Sequence, residues 1–184
     1  MDKNPKILVI SGSGMGCSIM FSPTLKLLRD RFPKAEIHFL GISKSFVEPV
    51  RGSDLVDKVL VFDFKKDSLF NLKKLGQRLR FIKELRRQKL DYSLCVFPSN
   101  KWYFNVYAWL SGAKKRVTHR YAAGGFKTLS WLQNAKVPAD PGLHDVQQNI
   151  NLLKVLGIEP PKTKLELSFH IDESDVVQAK NFLK

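Results

Sequence analysis

The sequence predicts a doubly wound α/β fold, a parallel sheet with helices on both faces. Three observations predict it. Short uninterrupted apolar runs alternate with amphipathic helical patterns, a glycine and serine loop joins the first run to the first helix, and 184 residues suit one domain with a sizeable core better than two.

The first apolar run, Ile7 to Ile10, reads as a strand, and Leu25, Leu28 and Phe32 then recur at helical spacing. Glu36 to Leu40 and Asp57 to Phe62 read as the next two strands. Ser68 to Gln88 is a long amphipathic pattern with Leu72, Leu75, Leu79 and Ile82 as its apolar stripe. Tyr92 to Phe97 predicts a fourth strand, Phe104 to Ser111 a helix, and Lys115 to Thr118 a fifth strand. From His119 to Gly142 periodicity fails, with Gly124, Gly125, Pro138, Pro141 and Gly142 as breakers, so a long irregular excursion is expected. Leu143 to Leu156 predicts a helix closed by Gly157, with Pro160 and Pro161 beyond it. Leu165 to His170 predicts a strand, and Asp172 to Lys184 a last helix.

An apolar share of 43% and a charged share of 26% are those of an ordinary globular protein, which excludes a disordered or repeat composition. Charge is the unusual property. A net +14 creates a field that attracts phosphorylated substrates, anionic membrane or nucleic acid. Much of it lies on the long helix, in Lys73, Lys74, Arg78, Arg80, Lys83, Arg86 and Arg87. These form either a solvated face or a face that docks on anionic lipid, with Arg80, Lys83 and Arg87 as the membrane-facing candidates. No RRM, KH or helix-turn-helix signature accompanies the charge, so a basic RNA-binding domain is the least favoured reading and no nucleic-acid partner is expected.

The run Ile7 to Ile10 is far shorter than the roughly 20 residues of a membrane span and lacks a secretory cleavage pattern. A cytoplasmic protein, peripheral on the inner face of the cytoplasmic membrane, is expected. Cys17 and Cys95 lie far apart without CxxC spacing, so reduced thiols are expected, and no His, Cys, Asp and Glu cluster predicts a metal.

The loop Ser11-Gly12-Ser13-Gly14-Met15-Gly16 falls where open α/β sheets bind ligands, at the carboxyl end of a strand and the start of a helix. A dinucleotide fingerprint needs G-x-G-x-x-G. Here the third glycine comes one residue early, Cys17 takes its place, and no acidic residue closes the second strand, so a nicotinamide or flavin cofactor is disfavoured. A P-loop is excluded by the absence of G-x-x-x-x-G-K-[ST]. The plainer alternative is that these glycines only let a strand turn into a helix. Asn100, Lys101 and Trp102 follow the fourth strand, and His119, Arg120 and Tyr121 the fifth, so both sets belong on the same sheet edge. Lys101 and Arg120 are candidates for binding a phosphate or carboxylate, against the alternative of solvated side chains. Trp102, Tyr103, Tyr107 and Trp109 read as packing residues. His144 reads as a capping or packing histidine, and His38 and His170 as structural ones.

The segment ILVISGSGMGCSIMFSPTLKLLRDRFPKAEIHFL resembles the opening of the family nine glycosyltransferases, the lipopolysaccharide heptosyltransferases. DLVDKVLVFD, LDYSLCVFPSNKWYFNVYAWLSGAKKRVTHR and HDVQQNINLLKVLGIEPP continue the resemblance in order over nearly the whole chain. It implies that residues 1–184 form a single Rossmann-like, acceptor-side domain, the N-terminal half of a GT-B fold. A C-terminal domain beyond this chain would hold a nucleotide-sugar donor, ADP-heptose or similar, and no other cofactor is implied. The implied acceptor is a phosphorylated glycan or glycolipid such as the lipopolysaccharide core. Ser13, Gly14, Gly16, Asn100, Lys101 and Arg120 are the implied acceptor-binding residues. The family's loop aspartate, its general base, aligns with Cys17. A thiol with the usual pKa of about 8.5 is a poor substitute, even at a helix opening whose dipole lowers it, and this departure favours a non-catalytic Rossmann-like binding module as the alternative.

Overall fold

The computed structural model describes residues 4–62, 72–122, 126–161, 165–171 and 173–182. Six strands, β1 (Lys6–Ser11), β2 (Glu36–Gly41), β3 (Lys58–Val61), β4 (Tyr92–Cys95), β5 (Lys115–Arg120) and β6 (Ala135–Pro138), form one sheet among the described residues. The order is β3-β2-β1-β4-β5-β6 and every pairing is parallel. This is the doubly wound α/β architecture that alternating apolar strands and helices predict.

Alternation along β1 builds two cores. Ile7 and Val9 face a cluster with Phe21, at the junction of the helices α1 (Met15–Met20) and α2 (Ser22–Arg31), and Leu25 and Leu28 of α2, joined by Leu152, Leu153 and Leu156. Leu8 and Ile10 face the opposite side, where Leu85 of α4 and Tyr103, Phe104 and Tyr107 of α5 pack; α3 (Lys44–Val47) comes between β2 and α4 (Leu72–Arg87), and α5 (Trp102–Leu110) follows β4. Both faces of β1 are therefore dry, which is why its sequence is uninterruptedly apolar.

Several expectations need correction. The buried side of α4 is Arg78, Phe81 and Leu85, with Phe62 stacked on Phe81 at 4.2 Å, whereas Leu75 and Leu79 are 44% and 57% exposed. The leucine spacing marked an amphipathic helix correctly but pointed to the wrong face, because the aromatic pair and Leu85 fill the groove above β3 and β4. Arg78 is buried, so it is not part of a solvated face. The stretch from His119 to Gly142 is not one irregular excursion: it contains the end of β5, a 3-10 turn Ser130–Leu132 and the edge strand β6. Gly124 and Gly125, like the start of the long helix before Leu72, lie outside the described residues.

The helix predicted over Leu143 to Leu156 divides into α6 (Asp145–Asn151) and a 3-10 segment Leu152–Leu156, closed by Gly157 at φ 66° as anticipated. Leu165 to His170 forms no strand. It is an extended strap in which Ser168 N–H donates to Ser22 Oγ at 2.8 Å and His170 N–H to the Pro49 carbonyl at 3.0 Å. It joins no ladder among the described residues, and the final helix, α7 (Glu173–Phe182), is largely exposed after it. Trp102 and Trp109 are 41% and 46% exposed, so only Tyr103 and Tyr107 of that aromatic set are core.

Candidate functional site

Strand order reverses around β1: the chain leaves it for β2 and β3, then crosses back through α4 to β4. The carboxyl ends of β1 and β4 thus flank the crevice where ligands bind in such sheets. The loop after β1 lines one side. Gly12 must be a glycine because a Cβ there would lie 2.9 Å from Tyr103 Cε2 and 3.0 Å from Phe104 Cζ. Tyr103 Oη donates to the Gly12 carbonyl at 3.0 Å, so α5 forms the floor of the loop. Gly14 has φ 146°, a conformation side chains rarely adopt, and the space beside Gly14 and Gly16 is open. The glycines therefore let the strand turn closely over α5, and beside Gly14 and Gly16 they leave the backbone uncovered.

Hydrogen bonds tie the three rim loops together. Ser13 Oγ donates to the Pro98 carbonyl at 2.7 Å, joining the first loop to the one after β4. Ser99 N–H donates to Tyr121 Oη at 2.7 Å, joining that loop to the segment after β5. Asn100, Lys101 and Arg120 are exposed at the same rim, and Lys101 precedes the first turn of α5.

Beneath the rim lies a buried polar belt. His119 Nε2 is 3.1 Å from the Gln148 carbonyl, which can only accept, so the proton sits on Nε2 and Nδ1 faces Ser99 Oγ at 3.4 Å. Asn149 Oδ1 accepts from Phe97 N–H at 2.8 Å, anchoring α6 to the end of β4. Burial drives the His119 pKa down to about 4, only partly opposed by the Gln148 bond, so the ring is neutral at pH 7. His119 is thus a structural strut and not a rim residue. His144 caps α6: its Nδ1 accepts from Val146 N–H at 3.3 Å while Gln147 Oε1 accepts from His144 N–H at 3.2 Å. Buried His38 contacts Glu36 at 2.7 Å, a structural role.

Cys17 stands half-buried on α1 beside the crevice. Burial first, and then the Asp145 carboxylate, raise its thiol pKa; a backbone hydrogen bond works the other way without prevailing. The expected lowering by a helix dipole is therefore overturned, since α1 has six residues and its dipole is weaker than the desolvation. Cys17 is a protonated thiol at neutral pH. Cys95 is fully buried and its thiol is pushed up to about 12.

Arg80, Lys83 and Arg87 are exposed but are not brought to this site, because α4 runs from the carboxyl edge of the sheet back to its amino edge. Among the described residues, no group of three or more His, Cys, Asp or Glu side chains gathers as a metal would require, and no helix is long and apolar enough to cross a membrane. The residue that sequence reasoning missed is Asp145. Its signal was available: Asp145, Gln148 and Asn149 are polar at positions i, i+3 and i+4 of a helix whose inner face should be apolar.

A parallel sheet with its rim at the β1/β4 switch point defines a Rossmann-like fold, a kind of sheet that GT-B glycosyltransferases also contain. Solved structures agree. The family nine glycosyl transferase from Veillonella parvula DSM 2008 superposes with a TM-score of 0.75 at 19% identity, covering 99% of this chain and 49% of that one. E. coli heptosyltransferase WaaC with ADP gives 0.74 at 16% identity over 88% of this chain and 50% of its own, and E. coli ADP-heptose lps heptosyltransferase II gives 0.69 at 17% over 97% and 50%. The chain spans about half the length of these proteins. Neither a family model nor a curated protein matches the sequence, so the similarity is one of fold.

Proposed function

We propose that this chain is the acceptor-side half of a glycosyltransferase that moves a sugar from a nucleotide-sugar, ADP-heptose or similar, to a phosphorylated glycan or glycolipid such as a lipopolysaccharide core. The observation that carries this reading is the open rim at the β1/β4 switch point, with the uncovered backbone of Gly14 and Gly16 and the exposed cations Lys101 and Arg120. Those cations suit an anionic acceptor, and a donor-side domain would close the crevice from above. Titration calorimetry tests the division of labour. The isolated chain is expected to bind phosphorylated core saccharide and to bind ADP- and UDP-sugars only weakly. Micromolar binding of a nucleotide-sugar at a defined site would reverse the assignment of donor and acceptor halves.

One observation favours a second reading, a non-catalytic binding module: the family's base position holds a thiol whose pKa is raised, so it is protonated and supplies no base. On the transferase reading Cys17→Ser is expected to leave transfer by the whole protein unchanged. Loss of a hundredfold or more, ~10² as expected for a general base, would show that the thiol works.

The basic side of α4 supports attachment to an anionic membrane on the cytoplasmic side. Leu79 and Ile82 lie with Lys83, Arg86 and Arg87 around an open depression of about 520 Å³, so apolar and cationic groups share one surface. Vesicles rich in anionic lipid are expected to retain the chain at low salt and release it as salt rises, since the Debye length is about 8 Å at 0.15 M. Charge reversal at Arg80, Lys83 and Arg87 should abolish retention. Equal retention of the reversed variant would return α4 to an ordinary solvated helix.

A further inference from the structure

We infer that Asp145, not the residue at the loop position, is the general base that takes the proton from the acceptor hydroxyl. The inference rests on the transferase reading above.

Geometry places the carboxylate at the crevice. Gln148 and Asn149 face inward, their backbone and side-chain oxygens holding His119 and Phe97 N–H beneath the ends of β5 and β4. Asp145 lies one turn earlier on that same face, and helical side chains lean toward the N-terminus, which here is the rim. On the same side of the sheet α1, which carries Cys17, packs against α6. The Asp145 charge is felt at both Cys17 and Tyr121, so the carboxylate lies near each of them.

The carboxylate is also uncommitted. His144 and Gln147 complete the capping of α6 between themselves, so Asp145 is not needed as a cap. It is half-buried, yet it makes no hydrogen bond or ion pair among the described residues. A carboxylate left without partners is able to accept a proton, and the neighbouring neutral thiol does not compete for that role. In the step, the acceptor oxygen forms its bond to the anomeric carbon as its proton passes to Asp145, and the nucleoside diphosphate leaves with the pair of electrons from the broken sugar–phosphate bond.

Two measurements test this. In the isolated chain, iodoacetamide alkylation reports Cys17, because Cys95 is fully buried; Asp145→Asn should move the alkylation profile to lower pH. In the whole protein that contains this chain, Asp145→Asn should lower kcat by ~10²–10⁴-fold with KM little changed, and remove the acid limb of the pH–rate profile. Adding Cys17→Asp to that variant should restore transfer. An unmoved alkylation profile, or an Asp145→Asn enzyme as fast as the parent, overturns the assignment. A parent that transfers no sugar from any nucleotide donor overturns the transferase reading and the base with it.

Discussion

Replacing Phe104 with alanine is expected to destabilise the protein by ~3–5 kcal/mol, the range for emptying a well-packed aromatic site, and to lower Tm by roughly 10 °C in a chain of this size. The ring is fully buried in the core that α5 shares with Leu8, Ile10 and Leu40. It stacks on Tyr103 at 5.0 Å, and Phe104 Cζ lies 3.0 Å from where a Gly12 side chain would begin. The loss therefore falls on the floor of the glycine loop as well as on the core. Urea denaturation measures the first effect, and faster amide exchange at Gly12 to Gly14 the second. Phe104→Leu should recover most of the stability. A loss below about 1 kcal/mol for the alanine variant, well under the core range, would mean that the cavity refills and that α5 does not support the loop.

The second large effect concerns pH. His119 has a folded pKa of about 4 against an unfolded value near 6.5, so between these limits the unfolded chain binds the extra proton and the folded one does not. Stability is then greater at the higher pH: the contribution is complete above about pH 6.5 and is lost as pH falls toward 4. The difference corresponds to about 3 kcal/mol at one kcal-scale unit of roughly 1.4 per pKa unit. His119→Gln keeps a donor for the Gln148 carbonyl and removes the titration. Urea midpoints of parent and variant, followed from pH 7 to pH 4, should diverge as the parent loses stability faster. Other ionisable groups titrate in both proteins and cancel in the difference. Parallel curves would show that the ring ionises within the fold and is not the buried strut described above.

Local chemistry reached a long way. The apolar runs of β1, β2 and β4 are strands wherever they fold, because both faces of a central parallel strand are dry, and a glycine loop between a strand and a helix falls at the sheet's ligand edge by topology alone. Closure of the α6 region by Gly157 and the capping role of His144 were equally legible, since both depend on neighbours within a few residues. Contacts between distant segments decided the rest. The face that α4 buries was set by Phe62 stacking on Phe81, a pairing that no helical period encodes. His119 became a neutral strut because Gln148, far along the chain, offers a carbonyl in a dry site. That Cys17 keeps its proton and lies within reach of the Asp145 charge also comes from packing: burial raises the thiol pKa, and α6 packs against α1. Sequence by itself determined the strand and helix alternation and the edge on which a site must lie. Tertiary structure alone decided which charges and protons meet there, because electrostatics and desolvation depend on distances that only the folded chain creates.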